Sequence, residues 1–176
     1  MEKIILMRPD ESFAADIWAF RQEILDSDDK DKFAGCGGLE KCSSAEEWCE
    51  RCRVWSRDES CPADKVPSDV FIAVRQSDRR IVGIIDLRHH IDHPVLSVWG
   101  GHIGYTVRPS ERRKGCAKEM LRQNIAKARE LGIERVMVTC DEDNPASERT
   151  IVACGGVYER SVNVDGAAVK RFWIQT

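Results

Sequence analysis

The sequence predicts an α/β protein, a mixed α+β fold in which a twisted seven-stranded mixed sheet has helices on both faces. Three observations lead to this class. Short apolar runs alternate with segments of helical period, a basic loop containing a glycine joins a strand to a helix, and the last segment reads as a hairpin. The 176 residues suit a single domain, 1–176, which can bury a core without disulfides.

The N-terminal part begins with a short strand, Ile4–Met7, after which Pro9 and Ser12 start an amphipathic helix. The apolar residues of that helix are Phe13, Ile17, Phe20, Ile24 and Leu25. The charged run 27–32 is typical of a solvated loop. A second amphipathic helix is predicted over residues 45–55.

The remaining elements follow from local signals. The predicted strands are Val70–Val74, Ile81–Leu87, Ser97–Val107, Arg135–Cys140, Val157–Val164 and Ala168–Ile174. One helix spans Cys116–Glu130, and another starts at Pro145 with Asn144 as its N-cap and ends near Cys154. Asp165-Gly166 favours a tight hairpin turn.

Eight cysteines allow two interpretations. Five of them fall between residues 36 and 61, namely Cys36, Cys42, Cys49, Cys52 and Cys61. The pair Cys49-x-x-Cys52 could donate two thiolates to zinc. Its helical, amphipathic setting favours small buried thiols instead, and His89-His90-x-x-His93 lacks a helical metal-binding setting, so we expect no metal.

Charge is nearly balanced, with 27 basic and 30 acidic residues, which disfavours an extended nucleic-acid surface. No apolar run approaches the length needed to span a bilayer, and the N-terminal apolar run is too short for a signal peptide. We therefore expect a cytoplasmic protein with neither a nucleic acid nor a membrane as partner.

The most informative stretch is Val107–Ala117, a candidate phosphate-binding loop. A strand precedes it and a helix with apolar residues at helical spacing follows it. The first NH groups of a helix have no intrahelical partner and attract anions, while Gly115 allows close approach to the backbone. Arg112, Arg113 and Lys114 add positive charge. This arrangement indicates an enzyme that binds a phosphorylated ligand.

The order Arg112-x-x-Gly115-x-Ala117 resembles the Arg/Gln-x-x-Gly-x-Gly/Ala signature of the GNAT N-acetyltransferases, whose loop holds the pyrophosphate of acetyl-coenzyme A. The resemblance covers roughly residues 70–176, including Asn144-x-x-Ser147 at the start of the next helix. It implies a GNAT-like fold with a splayed central strand pair. Residues 70–176 would form the acetyl-CoA-binding core, and residues 1–67 would supply N-terminal helices and substrate-side loops.

The resemblance also implies which residues contact acetyl-CoA. They are Tyr105, Val107, Arg112, Arg113, Lys114, Gly115, Cys116, Ala117, Lys118, Asn144 and Ser147. A backbone NH near Tyr105 would stabilise the oxyanion of a tetrahedral intermediate. Asn144 is equally well explained as a helix cap.

The catalytic groups do not follow from the resemblance alone, because the chain departs from the family pattern. Gly101 stands where some family members carry a glutamate base, and Ile151 stands where many carry a tyrosine acid. We expect His102 to serve as general base if an irregularity at Trp99-Gly100-Gly101 turns it inward, with Asp86 in reserve. Tyr105 is the candidate acid for the departing thiolate.

These expectations describe an acyltransferase that moves acetyl from acetyl-CoA to a primary amine by direct attack. The acceptor would be a small-molecule or peptide amine, and a homodimer is allowed. The two departures also permit a second interpretation, a catalytically weak or inactive coenzyme-A-binding regulatory module.

Overall fold

The computed structural model describes residues 2–28 and 33–176. Residues 29–32 of the predicted charged loop lie outside the described residues. The strands are β1 Ile4–Met7, β2 Ser68–Arg75, β3 Ile81–Arg88, β4 Tyr105–Val107, β5 Arg135–Asp141, β6 Val157–Val164 and β7 Ala167–Gln175. The helices are α1 Ala14–Leu25, α2 Ala45–Trp55, α3 Cys116–Glu130 and α4 Pro145–Ala153.

The strands form two antiparallel sheets that meet at one edge. Their orders are β1-β2-β3-β4 and β5-β7-β6. Within the described ranges, the link between them is an isolated parallel bridge between Ile103 and Val138. The predicted α/β class with seven strands is therefore confirmed, and the mixed character arises where the segment before β4 runs parallel to β5.

The register of β2 against β3 assigns each side chain to one face of the first sheet. Val70 pairs with Asp86 and Ile72 with Ile84, so these four residues share a face. That face packs against α1 and α2, while the opposite face, which carries Phe71, packs with the core that includes α3. Asp86 therefore lies on the side of the sheet that faces α1 and α2.

A 3-10 turn, Glu11–Phe13, precedes the first helix, and α1 itself begins at Ala14. Asp10 caps this turn, because its Oδ1 accepts a hydrogen bond of 2.8 Å from the Ser12 N–H. The buried side chains of this segment are Phe13, Ile17, Phe20 and Ile24. Leu25 is 38% exposed and does not belong to the apolar face.

The predicted cysteine-bearing helix is α2, which starts at the cap Ser44. Cys49 and Cys52 are buried on one face together with Trp48. The Trp48 indole N–H donates to the Cys36 carbonyl at 2.8 Å, which anchors the loop before α2 to the helix. This half of the chain therefore packs as an apolar layer against the sheet.

The prediction of a continuous strand over Ser97–Val107 is wrong. The strand proper is only Tyr105–Val107, and Leu96–Gly100 form one turn of π-helix. Its amides reach back five residues, as in the 3.0 Å bond from Gly100 N–H to the Val95 carbonyl. Residues 96–100, which precede the strand, therefore form a compact turn rather than an extended edge strand.

Two arginines from distant strands, the buried Arg171 and the partly buried Arg88, account for this turn. Arg171 donates to the carbonyls of Ser97 and Val98 at 2.9 and 2.8 Å. Arg88 donates to those of Gly100 and Gly101, both at 3.0 Å. The guanidinium groups satisfy carbonyls that a strand would have offered to a neighbour, so the turn is stabilised by contacts remote in sequence.

Within the described ranges, no helix has both the length and the apolar character needed to cross a membrane.

Candidate active site

A cleft of about 910 Å³ opens between β4 and β5, beyond the bridge that joins the two sheets. Its walls come from β4, the loop after it, the first turn of α3, the end of β5 and the start of α4. At this point the two sheets separate, so the cleft is the structural form of the predicted splayed strand pair. The volume falls in the range typical of small-molecule sites.

The backbone of β4 presents hydrogen-bonding groups to this cleft. Asp86 N–H donates to the Gly104 carbonyl and Arg108 N–H to the Val82 carbonyl, so the even-numbered residues of this segment bond to β3. Alternate residues of a strand direct their N–H and C=O groups to opposite sides. The amides of Tyr105 and Val107 therefore point away from β3, toward the opening.

The predicted phosphate loop joins β4 to α3 and lines one end of the cleft. Gly115 is the N-cap of α3 with φ 83°, a left-handed conformation that suits glycine. Other residues of this loop and of the first turn of α3 line the cleft with it, namely Arg112, Arg113, Cys116, Ala117 and Lys118. A helix N-terminus flanked by these cations fits a pyrophosphate group.

Lys114 differs from its neighbours because it does not line the cleft. Its Nζ lies 3.0 Å from Oε2 of Glu111, a side chain only 7% exposed, and Arg75 lies 2.7 Å from the same oxygen. Burial would raise the pKa of Glu111, but the hydrogen bonds from Lys114 and Arg75 lower it overall. Lys114 thus neutralises a carboxylate behind the loop rather than extending into the phosphate site.

Tyr105 and Ser147 were predicted separately and meet in the structure. Their hydroxyl oxygens are 2.7 Å apart, and both side chains line the cleft. Burial raises the pKa of Tyr105 to about 12, and the Ser147 hydroxyl opposes this in part. Asn144 caps α4, since its Oδ1 accepts from the Ser147 N–H at 3.1 Å, and it also lines the cleft.

Asp86 is buried beside the point where the cleft begins. Its Oδ1 accepts from the Gly104 N–H at 2.7 Å, and its Oδ2 lies 3.0 Å from a guanidinium nitrogen of Arg88. Burial raises the pKa of this carboxyl, while Arg88 and the Gly104 amide pull it down. A carboxylate with a raised pKa is a better proton acceptor than an exposed aspartate.

His102 lies between the two sheets, and the residues that line the cleft do not include it. Its N–H donates to the Met137 carbonyl at 2.8 Å, and its ring Nδ1 accepts from the Met137 N–H at 2.9 Å. Burial lowers the pKa of His102 to about 4. The expected irregularity at Gly100-Gly101 exists, yet it turns the ring onto Met137, and the one basic nitrogen of the neutral ring is engaged there.

A second cavity of about 300 Å³ lies on the α1 and α2 side of the sheet. Gly35 and Arg88 line both cavities, and Asp86 lines the smaller one. The loop bearing Gly35 packs directly on β4, since a Cβ at Gly35 would lie 2.0 Å from the Gly104 carbonyl oxygen. The two cavities therefore share a wall at Gly35 and Arg88, and Asp86 lines the smaller cavity beside it.

Sequence reasoning missed the two arginines that shape this region. Arg88 connects Asp86 to the π-helical turn, and Arg171 is paired with Glu159 at 2.8 Å while it holds the same turn. Arg171 is a buried charge within β7, and Arg88 is a partly buried charge at the end of the buried strand β3. Charges in such apolar surroundings are unusual enough to mark both residues for a structural or functional role.

The cysteine-rich segment has the character of an apolar core. Cys36, Cys42, Cys49 and Cys52 are buried in one hydrophobic cluster with the side chains of α1. Burial raises the pKa of Cys36 and of Cys52, which disfavours the thiolate forms that zinc requires. Within the described ranges, no group of three or more potential metal-binding side chains is present.

Comparison with known proteins agrees with this geometry. Residues 4–157 match the Acetyltransferase (GNAT) domain family. The chain therefore belongs to the GNAT acetyltransferases, enzymes that use acetyl-CoA, and the resemblance inferred from the phosphate loop is confirmed. Comparison with curated proteins gives no match.

Solved structures share the fold at low sequence identity. The microcin C7 self-immunity acetyltransferase MccE, in complex with acetyl-CoA and AMP, is 16% identical with a TM-score of 0.69, covering 100% of this chain and 94% of that one. RimL, a ribosomal L7/L12 alpha-N-protein acetyltransferase in complex with coenzyme A, is 17% identical with a TM-score of 0.68, covering 98% and 93%.

A third solved structure is a chimera of the spermidine N-acetyltransferase SpeG from Vibrio cholerae with hSSAT. It is 13% identical with a TM-score of 0.62, covering 98% of this chain and 95% of that one. The shared architecture extends over nearly the whole chain in all three cases.

Proposed function

We propose that this GNAT enzyme acetylates a primary amine that enters through the smaller cavity, by direct attack on acetyl-CoA bound in the larger cleft. The observation that carries the proposal is the shared wall: Gly35 and Arg88 border both cavities, with the buried carboxyl of Asp86 beside them. The amine-modifying activities named for RimL and SpeG are consistent with it.

Acetyl-CoA binding follows from the loop and the strand. The N-terminus of α3, with Arg112, Arg113 and Lys118, receives the pyrophosphate. The amides of Tyr105 and Val107 hold the pantetheine arm and the acetyl carbonyl, and Asn144 and Ser147 border the arm from α4. An amide directed at the carbonyl oxygen stabilises the charge that develops there during attack.

Asp86 is the proposed general base. An alkyl amine of pKa about 10.4 must lose a proton before it attacks, at a cost of about 4.6 kcal/mol at pH 7. The carboxyl of Asp86 lines the smaller cavity, where the amine is proposed to enter. Its raised pKa improves its capacity to take that proton. We assign His102 a positioning role instead, because its Nδ1 is bound to Met137.

Tyr105 is the proposed acid for the departing thiolate. Its hydroxyl lies in the cleft and stays protonated at neutral pH, since its pKa is raised to about 12. The family tyrosine position is occupied by Ile151, which is fully buried in the core and has no exchangeable proton. Ser147, 2.7 Å away, can return a proton to the phenol.

The test is acetyl-CoA turnover across a panel of primary amines, with thiol release and product mass measured together. Acetylated product from at least one amine supports the proposal. Tight coenzyme A binding without product from any amine would leave the chain as a coenzyme-A-binding module, the function that the missing glutamate and tyrosine also permit.

A further inference from the structure

The smaller cavity carries a charge pattern that discriminates between amine acceptors. The titratable side chains that line it, apart from a thiol, are Lys65, Asp86, Arg88 and His93. Asp86 supplies the one carboxylate among the described lining residues, and it is already paired with Arg88 at 3.0 Å. The balance of the lining is therefore cationic.

Lys65 is available to a ligand. Its partner is Asp64, 3.1 Å away, and the two side chains are 49% and 76% exposed. Exposed ion pairs of this kind contribute little and exchange readily. A carboxylate that enters the cavity can therefore engage the Lys65 ammonium without breaking a buried interaction.

His93 offers a second donor. Its Nδ1 accepts a hydrogen bond from the Val95 N–H at 3.2 Å, which places the proton of the neutral ring on Nε2. The ring thus presents an N–H donor and no second acceptor. Together with Lys65 it forms a pair of donors suited to an anionic group.

The difference in burial between the two ends of the cavity predicts how the ligand is oriented. Asp86 is 7% exposed and lies at the wall shared with the acetyl-CoA cleft, whereas Lys65 is half-exposed at the rim. An amine at the deep end and an anion at the rim match this gradient. Phe33, Trp55 and Leu96 supply apolar lining for a side chain that branches from the carbon bearing the amine.

The geometry points to an acceptor that is a small amino carboxylate, such as a free amino acid with an apolar side chain, held through its carboxylate by Lys65 and His93. This inference rests on the proposed function. A cavity of about 300 Å³ admits a molecule of that size. A polyamine would bring a further positive charge against Lys65 at the rim, and like charges held together in a cleft are unfavourable.

The test compares phenylalanine with phenylalaninamide as acceptors for the purified protein. The amide has the same side chain but no carboxylate, and its less basic amine is more often in the neutral, reactive form. We expect kcat/KM for phenylalanine to exceed that for the amide and for spermidine by at least about tenfold, because a charge-assisted contact is lost.

Lys65→Met is the diagnostic variant. It should lower kcat/KM for phenylalanine by about tenfold or more and change kcat/KM for phenylalaninamide by less than about twofold. Lys65→Arg, which keeps the positive charge, should recover most of the loss for phenylalanine. Lys3→Met is the matched control, since Lys3 is exposed and precedes β1, which pairs with the end of β2 far from the cavity. This variant should leave kcat/KM unchanged for both substrates.

Two results would overturn the inference: preference for the amide or for spermidine, or an equal loss on both substrates in Lys65→Met. If no amine is acetylated, calorimetry of phenylalanine with the coenzyme-A-bound protein tests the cavity assignment separately from the acetyltransferase proposal. Binding that Lys65→Met abolishes supports the cavity assignment and rejects the acetyltransferase proposal. Absence of binding rejects the cavity assignment itself.

Discussion

The imidazole of His102 takes the place of a backbone carbonyl for Met137: its Nδ1 accepts the Met137 N–H at 2.9 Å, while the His102 N–H donates to the Met137 carbonyl at 2.8 Å. This two-bond unit lies next to the bridge between Ile103 and Val138 that joins the sheets. The side chain therefore fixes the point from which β4 and β5 diverge, and so the position of the cleft proposed to bind acetyl-CoA.

We predict that His102→Ala destabilises the fold by about 2–4 kcal/mol, because it leaves a buried N–H unpaired and removes packing on Trp173. Denaturant unfolding measures this change. His102→Asn is the control, since its side-chain oxygen can accept the same bond and should recover at least half of the loss. A fully stable His102→Ala protein with low turnover would instead indicate a direct catalytic role.

The same contact predicts a pH dependence of stability. Burial lowers the pKa of His102 from 6.5 to about 4, so between these values the unfolded chain binds a proton that the folded protein does not. This contribution is fully present above pH 6.5 and is lost as the pH falls to about 4. Urea unfolding from pH 7.5 to 4 should show a smaller decline in His102→Asn than in the wild type.

Asp86→Asn should reduce kcat/KM by at least about a hundredfold and remove the acid-side limb of the pH–rate profile. That limb reflects protonation of a carboxyl whose pKa burial raises above its usual range. Coenzyme A affinity, measured by calorimetry, should be unchanged, because the phosphate loop is remote from Asp86. An acid limb that survives in Asp86→Asn would place the base elsewhere.

The phosphate loop yields a comparison between neighbouring cations. Arg112→Ala should weaken coenzyme A binding by about ten- to a hundredfold, since a charge-assisted phosphate contact is lost. Lys114→Ala should have a smaller effect, because Lys114 pairs with Glu111 and does not line the cleft. Titration calorimetry decides between them, and Arg129→Ala, at the far end of α3, is the control.

A larger effect at Lys114 than at Arg112 would contradict this assignment. It would mean that the ammonium leaves Glu111 and moves into the phosphate site when the ligand binds.

Cys52→Ser should lower the free energy of unfolding by about 1–3 kcal/mol, because it places a hydroxyl in an apolar cluster, and should leave coenzyme A affinity unchanged. Cys61→Ser, at a partly exposed position, should change stability by less than about 0.5 kcal/mol. Elemental analysis of the untagged protein should show no bound zinc. Zinc near one equivalent, lost in a Cys49→Ser, Cys52→Ser double variant, would restore the metal-site interpretation.

Local chemistry made much of the fold predictable from the sequence. The glycine at the start of α3, the Asn144 cap and the Asp165-Gly166 turn each depend on residues within a few positions of one another. The fold class followed because the order of these local units leaves few ways to arrange the sheets.

The parts that sequence reasoning missed depend on distant partners. The π-helical turn at Leu96–Gly100 requires the guanidinium groups of Arg88 and Arg171, and the pairing of Glu111 depends on Arg75 as well as Lys114. The hydrogen bond that His102 Nδ1 accepts likewise comes from a residue distant in sequence, Met137 on β5. The spacing of apolar and polar residues along the chain does not show which distant side chains will pair.

The Tyr105 hydroxyl provides the last prediction. It lies 2.7 Å from the Ser147 hydroxyl inside the cleft, and its pKa of about 12 keeps it protonated throughout a usual assay range. If it protonates the departing thiolate, Tyr105→Phe should lower kcat by about ten- to a hundredfold and leave coenzyme A affinity within about threefold. The loss should shrink when acetyl-CoA is replaced by an acetyl thioester whose thiol is more acidic, because a better leaving group needs less help from an acid. Ser147→Ala keeps the phenol and removes its partner, so its kcat should lie between the values for Tyr105→Phe and for the wild type. An unchanged kcat in Tyr105→Phe, together with a stability loss of about 1 kcal/mol, would show that the hydroxyl only ties β4 to α4.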